Sequence, residues 1–150
     1  MKSINHICDQ YGIALCYLFG SQIKQGLACL KGEKIDVEDA ESDIDFAVSF
    51  ISTPENVVET YAKLSVELEE LVFPFQADLV FLHEVDHLIQ LEAIQGTNIF
   101  AVDGTAKDSY ELKIMAFAGD ETVIFKNNEK DFLEAIRDGY FQFEYQANPG

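Results

Sequence analysis

Apolar positions fall along this chain in two periods. The stretch IALCYLF at 13–19 is almost continuously apolar and predicts a buried strand; Ser3 caps a short helix before it, running to about Gln10 and stopped at Gly12. After Gly20-Ser21, QIKQGLACL predicts a helix, and KGEKIDVEDAES has no core-forming pattern and reads as a charged loop. DIDFAVSF alternates strictly, so Ile44, Phe46, Val48 and Phe50 share one face and Asp43, Asp45, Ala47 and Ser49 the other. Thr53-Pro54 predicts the start of a helix, since Val57, Tyr61, Leu64, Leu68 and Leu71 keep helical spacing as far as Pro74. ADLVFL at 77–82 predicts a third strand, and TNIFAV at 97–102 a fourth at the sheet edge. Between them lies a helix begun by Asp86 and ended by Gly96. Thr105 and Asp108 predict a capping-box start for a helix to about Ala118, and a last helix is expected over 129–139. Strands and helices in this order predict an α+β fold, with a small sheet flanked by helices.

At 150 residues and 48% hydrophobic, the chain is expected to be a single domain over 1–150. Charge narrows its partners. There are 27 acidic against 10 basic residues, net −17, and Arg137 is the only arginine. Such a field repels phosphate backbones, so direct nucleic-acid binding is disfavoured and a basic protein partner fits better. Cys8, Cys16 and Cys29 have neither zinc-knuckle nor redox-pair spacing and are expected to be reduced thiols, with Cys16 in the core. The polar start MKSINHICDQ and the lack of a long apolar run predict a cytoplasmic protein with no membrane partner.

One short pattern invites a different chemistry. His83-Glu84-Val85-Asp86-His87 has the two-histidine, one-glutamate spacing of a zinc hydrolase. That site needs one uninterrupted helix, a third ligand such as His6, Asp108 or Glu111, and an open position for water. Here Asp86 is the best cap for the helix that follows, which leaves His83 outside it. Two solvated histidines are the expected outcome.

A distributed constellation carries more. A strand runs into Gly20-Ser21 and a helix, a second strand bears Asp43 and Asp45, and a third bears Asp78 near its start. An isolated Asp-x-Asp is ordinarily the wet face of a strand, but an acid opening an otherwise apolar neighbour suggests a site at a sheet margin. The blocks LFGSQ, SDIDFAV and ADLVFL, in that order, resemble the minimal nucleotidyltransferases of the DNA polymerase β superfamily, and DHLIQLEAIQGTNIFA is similar to the helix, glycine and edge strand that follow in small members. The likeness covers roughly residues 10–118, leaving 119–150 as a helical C-terminal extension. It departs from the pattern in one respect. The 21 residues between Ser21 and Asp43 are more than typical members carry, and they include Glu33, Asp36, Glu38, Asp39 and Glu41.

The resemblance implies a polymerase β-like fold with a mixed or antiparallel sheet of about four strands. It implies that Asp43, Asp45 and Asp78 hold two Mg²⁺ ions, that Asp78 helps deprotonate the attacking hydroxyl, and that Gly20, Ser21 and Lys24 bind the triphosphate of ATP. Nucleotidyl transfer needs mainly positioning and charge stabilisation, and hard cations prefer carboxylate oxygens, so the chemistry suits these residues. The implied role is that of an antitoxin transferring AMP to a tyrosine of a helical HEPN-type toxin, in homo- or hetero-oligomeric form. The competing reading from a different class is an inactive binding module that masks its partner. Tyr140, Phe141, Phe143 and Tyr145 are candidate anchors for such a partner or for core packing.

Overall fold

In the computed structural model, residues 2–33 and 42–119 are described. The acidic run 34–41, the expected helix 129–139 and the aromatic residues 140–145 therefore lie outside the described residues. The elements are α1 (Ile4–Tyr11), β1 (Ile13–Phe19), α2 (Ile23–Leu30), β2 (Asp43–Phe50), α3 (Val57–Val72), β3 (Gln76–Phe81), α4 (His87–Ile94), β4 (Thr97–Ala101) and α5 (Gly104–Gly119). A 3-10 turn, Leu82–Glu84, separates β3 from α4.

Local chemistry sets most of the boundaries. The Ser3 hydroxyl accepts from the His6 amide, and Gly12 closes α1 in the left-handed region at φ 66°. Two starts differ from expectation. The third helix begins at Val57 because the Asn56 side chain accepts from the Glu59 amide at 3.0 Å, so Thr53-Pro54 stays outside it. In α5 the cap is Asp103, whose carboxylate accepts from the Ala106 amide at 2.6 Å; Thr105 falls inside the first turn. In both cases a side-chain acceptor two or three residues from the expected cap satisfies the first helical amides.

Four strands form one mixed sheet among the described residues, in the order β3-β2-β1-β4. Strand β1 is antiparallel to β2 and β4, whereas β2 and β3 are parallel and joined through α3. The alternation of β2 becomes two cores. Ile44, Phe46 and Val48, with Cys16 and Leu18, pack against Ile7 and Cys8 of α1 and Leu64, Leu68, Leu71 and Val72 of α3. On the opposite face Leu15, Tyr17, Phe19 and Ala47 meet Leu91, Ala93 and Ile94 of α4 and Ile114 and Met115 of α5. The Cys16 thiol is fully buried, and contact with the Cys8 thiol, together with that burial, raises its pKa, so it behaves as a small protonated core group. No helix among the described residues is long and apolar enough to cross a membrane.

On the second face the described helices stop short. Helices α4 and α5 pack on β1 and β4, leaving the β2–β3 half with partly exposed Ser49 and Val80 and exposed Gln76. The carboxylates lie on this open half.

Candidate active site

The register fixes the acids more tightly than sequence spacing could. Asp45 lies directly opposite Asp78 across the parallel pair, and opposite Phe19 across the antiparallel one. Residues opposite one another in a ladder project to the same face, so both carboxyls leave the sheet on the α4 side. Asp43 is two residues earlier on the same face, opposite Gln76. Asp45 is half-buried, while Asp43 and Asp78 are exposed.

Crowding shows in the titration of Asp45. Its carboxyl is raised from 3.8 to about 6, first by burial, then by the charges of Asp78 and Asp43, by hydrogen bonding to Asp78, and by the charge of Glu92 on α4. Among the described residues no lysine forms an ion pair with any of the three aspartates. Nor do they close into a ready-made chelate, because among the described residues no three His, Cys, Asp or Glu side chains stand close enough to hold a metal ion. The donor set nevertheless fits a hard divalent cation: carboxylate oxygens only, and several negative charges.

Gly20 is required here for two reasons. Its φ is 81°, a left-handed conformation, and a Cβ built on it would collide with Asp45 Oδ2. The turn that leaves β1 is therefore pressed against the acid on β2. Ser21 is exposed on that turn, and α2 begins after Gln22 with no side-chain cap on its first amides. Gln22 Oε1 is buried without a partner. Free amides at a helix start are a receptor for anionic oxygens. Lys24 is exposed in the first turn of the same helix.

The histidine pattern comes apart as expected. Asp86 caps α4, accepting from the Leu88 and Ile89 amides at 3.1 Å, so His87 opens the helix and His83 sits in the preceding 3-10 turn. The His83 ring stacks on Phe81 at 5.8 Å and meets the edge of Phe50 at 6.2 Å, which gives it an aromatic seat. Of the candidate third ligands, Glu111 is bound to Tyr17 and Lys107, and His6 belongs to α1 on the opposite face.

Sequence reasoning missed Glu92. It is one acid among 27, and only the packing of α4 on β1 brings its charge to bear on Asp45.

Comparison with known proteins bears on the fold. The chain superposes on a toxin–antitoxin complex solved with AMP-PNP (TM-score 0.57, 18% identity, covering 87% of this chain and 95% of that one). It also superposes on a complex of a tri-AMPylated HEPN toxin with an MNT antitoxin from Shewanella oneidensis (TM-score 0.56, 16% identity, 87% and 92%). A third match is the toxin–antitoxin pair MntA-HepT (TM-score 0.55, 16% identity, 87% and 93%). At these identities the likeness is one of fold. Among curated proteins, none matches the sequence significantly. The family model "Polymerase beta, Nucleotidyltransferase" matches residues 2–105, and so takes in Gly20, Ser21 and all three aspartates. With its mixed sheet and its acids on adjoining strands, the chain belongs to the polymerase β nucleotidyltransferase family.

Proposed function

We propose that the protein is a Mg²⁺-dependent adenylyltransferase that moves AMP from ATP to a tyrosine hydroxyl of a helical HEPN-type toxin, and so acts as its antitoxin. The observation that carries this reading is the pairing of Asp45 with Asp78 on adjoining strands, with the Gly20 turn packed on Asp45. The relatives in fold supply the choice of nucleotide and partner, one being a complex with AMP-PNP and another an AMPylated HEPN toxin beside its antitoxin.

In this reading Asp43, Asp45 and Asp78 hold the divalent ions, which when bound supply charge neutralisation and alignment of the reacting oxygens. The turn at Gly20-Ser21 and the free amides of α2 take the β- and γ-phosphates, and Lys24 offsets their charge. The α-phosphate is thereby placed over the aspartate edge. An acceptor hydroxyl approaching the open β2–β3 face meets Asp78, which takes its proton as the oxygen attacks phosphorus and the bond to pyrophosphate breaks. The net charge of −17 suits a basic partner surface, which this face would meet with the acids already screened.

The test is incubation of the protein with labelled ATP, Mg²⁺ and the helical protein that co-purifies with it. Label is expected on a partner tyrosine and is expected to vanish in the Asp43→Ala/Asp45→Ala double variant. Label that persists in that variant refutes the mechanism. Tight complex formation without nucleotide, unchanged in the double variant and accompanied by no labelling at all, would establish the masking module instead.

A further inference from the structure

A second glycine controls the carboxylate edge from the other side of β1. A Cβ built on Gly96 would overlap the Leu18 carbonyl oxygen and lie 3.0 Å from both Cα and Cβ of Phe19. Unlike Gly12 and Gly20, Gly96 is not in the left-handed region. Its requirement is therefore one of space: the junction between α4 and β4 is seated on the backbone of β1 at its last two residues. The Gly96 amide donates to the Ala93 carbonyl at 3.0 Å, so the end of α4 turns tightly onto that seat.

Those two β1 residues lead straight into the site. Phe19 is the ladder partner of Asp45, and the next residue, Gly20, is the one packed on the Asp45 carboxyl. Glu92, one turn back along α4, already reaches Asp45 through its charge. We propose that Gly96 is a positioning residue. By letting α4 close onto the end of β1, it sets where the Gly20-Ser21 turn stands relative to Asp45 and Asp78, and hence how the metal–nucleotide complex is held. This inference rests on the nucleotidyltransferase reading.

The test pairs Gly96→Ala with Gly12→Ala. Gly12 caps α1 at the opposite end of β1, with φ 66° and open space around it, so alanine there strains the backbone but moves nothing near the acids. Three quantities are measured on each full-length variant: thermal midpoint, affinity for Mg²⁺ with AMP-PNP by calorimetry, and kcat with KM for AMP transfer. Both variants are expected to melt earlier. Only Gly96→Ala is expected to weaken Mg²⁺·AMP-PNP binding and to lower kcat, by on the order of 10²-fold if the turn shifts by about an ångström.

If Gly96→Ala does not fold, a single glycine inserted after Gly96 loosens the seat without adding a side chain. A slightly longer edge turn is tolerated by the fold, and the same selective losses are expected. Wild-type affinity and kcat in a folded Gly96 variant, or equal losses in the Gly12 variant, overturn the positioning role. A wild-type protein that binds no Mg²⁺·AMP-PNP sinks the nucleotidyltransferase reading itself, and this inference with it.

Discussion

Two groups of acids stand on the same face of this sheet, and they are treated in opposite ways. Under α5, Glu111 is 4% exposed, accepts from the Tyr17 hydroxyl at 2.8 Å and meets Lys107 Nζ at 3.3 Å. Over β2 and β3, Asp43 and Asp78 are exposed beside half-buried Asp45, and among the described residues no lysine forms an ion pair with any of the three. The first acid is satisfied from within the chain and ties α5 to β1. In the second group, burial first and then the charges of Asp78 and Asp43 raise the Asp45 pKa to about 6. Buried charge that serves the fold is neutralised locally. Like charges gathered beside a half-buried carboxyl raise the free energy of the folded chain, and a bound cation would relieve it.

The contrast is breakable, most sharply by activity. If the proposed function holds, Asp45→Asn is expected to lower AMP transfer on the order of 10²-fold or more, because losing a metal-holding oxygen would remove several kcal/mol of transition-state stabilisation. Steady-state kinetics on a variant with an unchanged circular dichroism spectrum check this. Glu111→Ala is the complementary break. Removing one partner of a buried pair strands the other and is expected to destabilise the fold by about 3 kcal/mol, read as a lower urea midpoint.

Mg²⁺ should then separate the two groups. At about 100 times its dissociation constant it is expected to stabilise the wild type by about 2.7 kcal/mol, and the Asp43→Ala/Asp45→Ala variant not at all. The smallest effect is in pH. A carboxyl whose folded pKa lies above its unfolded value leaves stability intact below the unfolded value, near 4, and removes it as pH climbs to about 6. Without metal, Asp45→Asn should therefore melt above the wild type at pH 7.5, and the gap should close by pH 4. A gap of the same size at both values would break the crowding argument.

The strands and helices were legible because their periods are local. Strict alternation in DIDFAVSF placed two aspartates on one face, and the structure keeps that face; β1 runs over the same residues, 13–19, as its apolar run. Helix starts were less secure, since Asn56 and Asp103 compete with the expected caps at nearly the same place. The pairing of Tyr17 with Glu111 spans 94 residues and has no local signal at all. Gly20 could be singled out from its turn, but the reason it must be glycine, contact with Asp45, needs the ladder between β1 and β2.

The sequence by itself determined which residues alternate, where chains turn, and that Asp43 and Asp45 project together, because Cβ direction follows from backbone period alone. Only the tertiary structure decided that Asp78 faces Asp45, that Glu111 is tied to Tyr17 and Lys107, and that Gly96 sits on the end of β1. Each of these depends on strand order and register, which long-range packing sets and no window of neighbouring residues encodes.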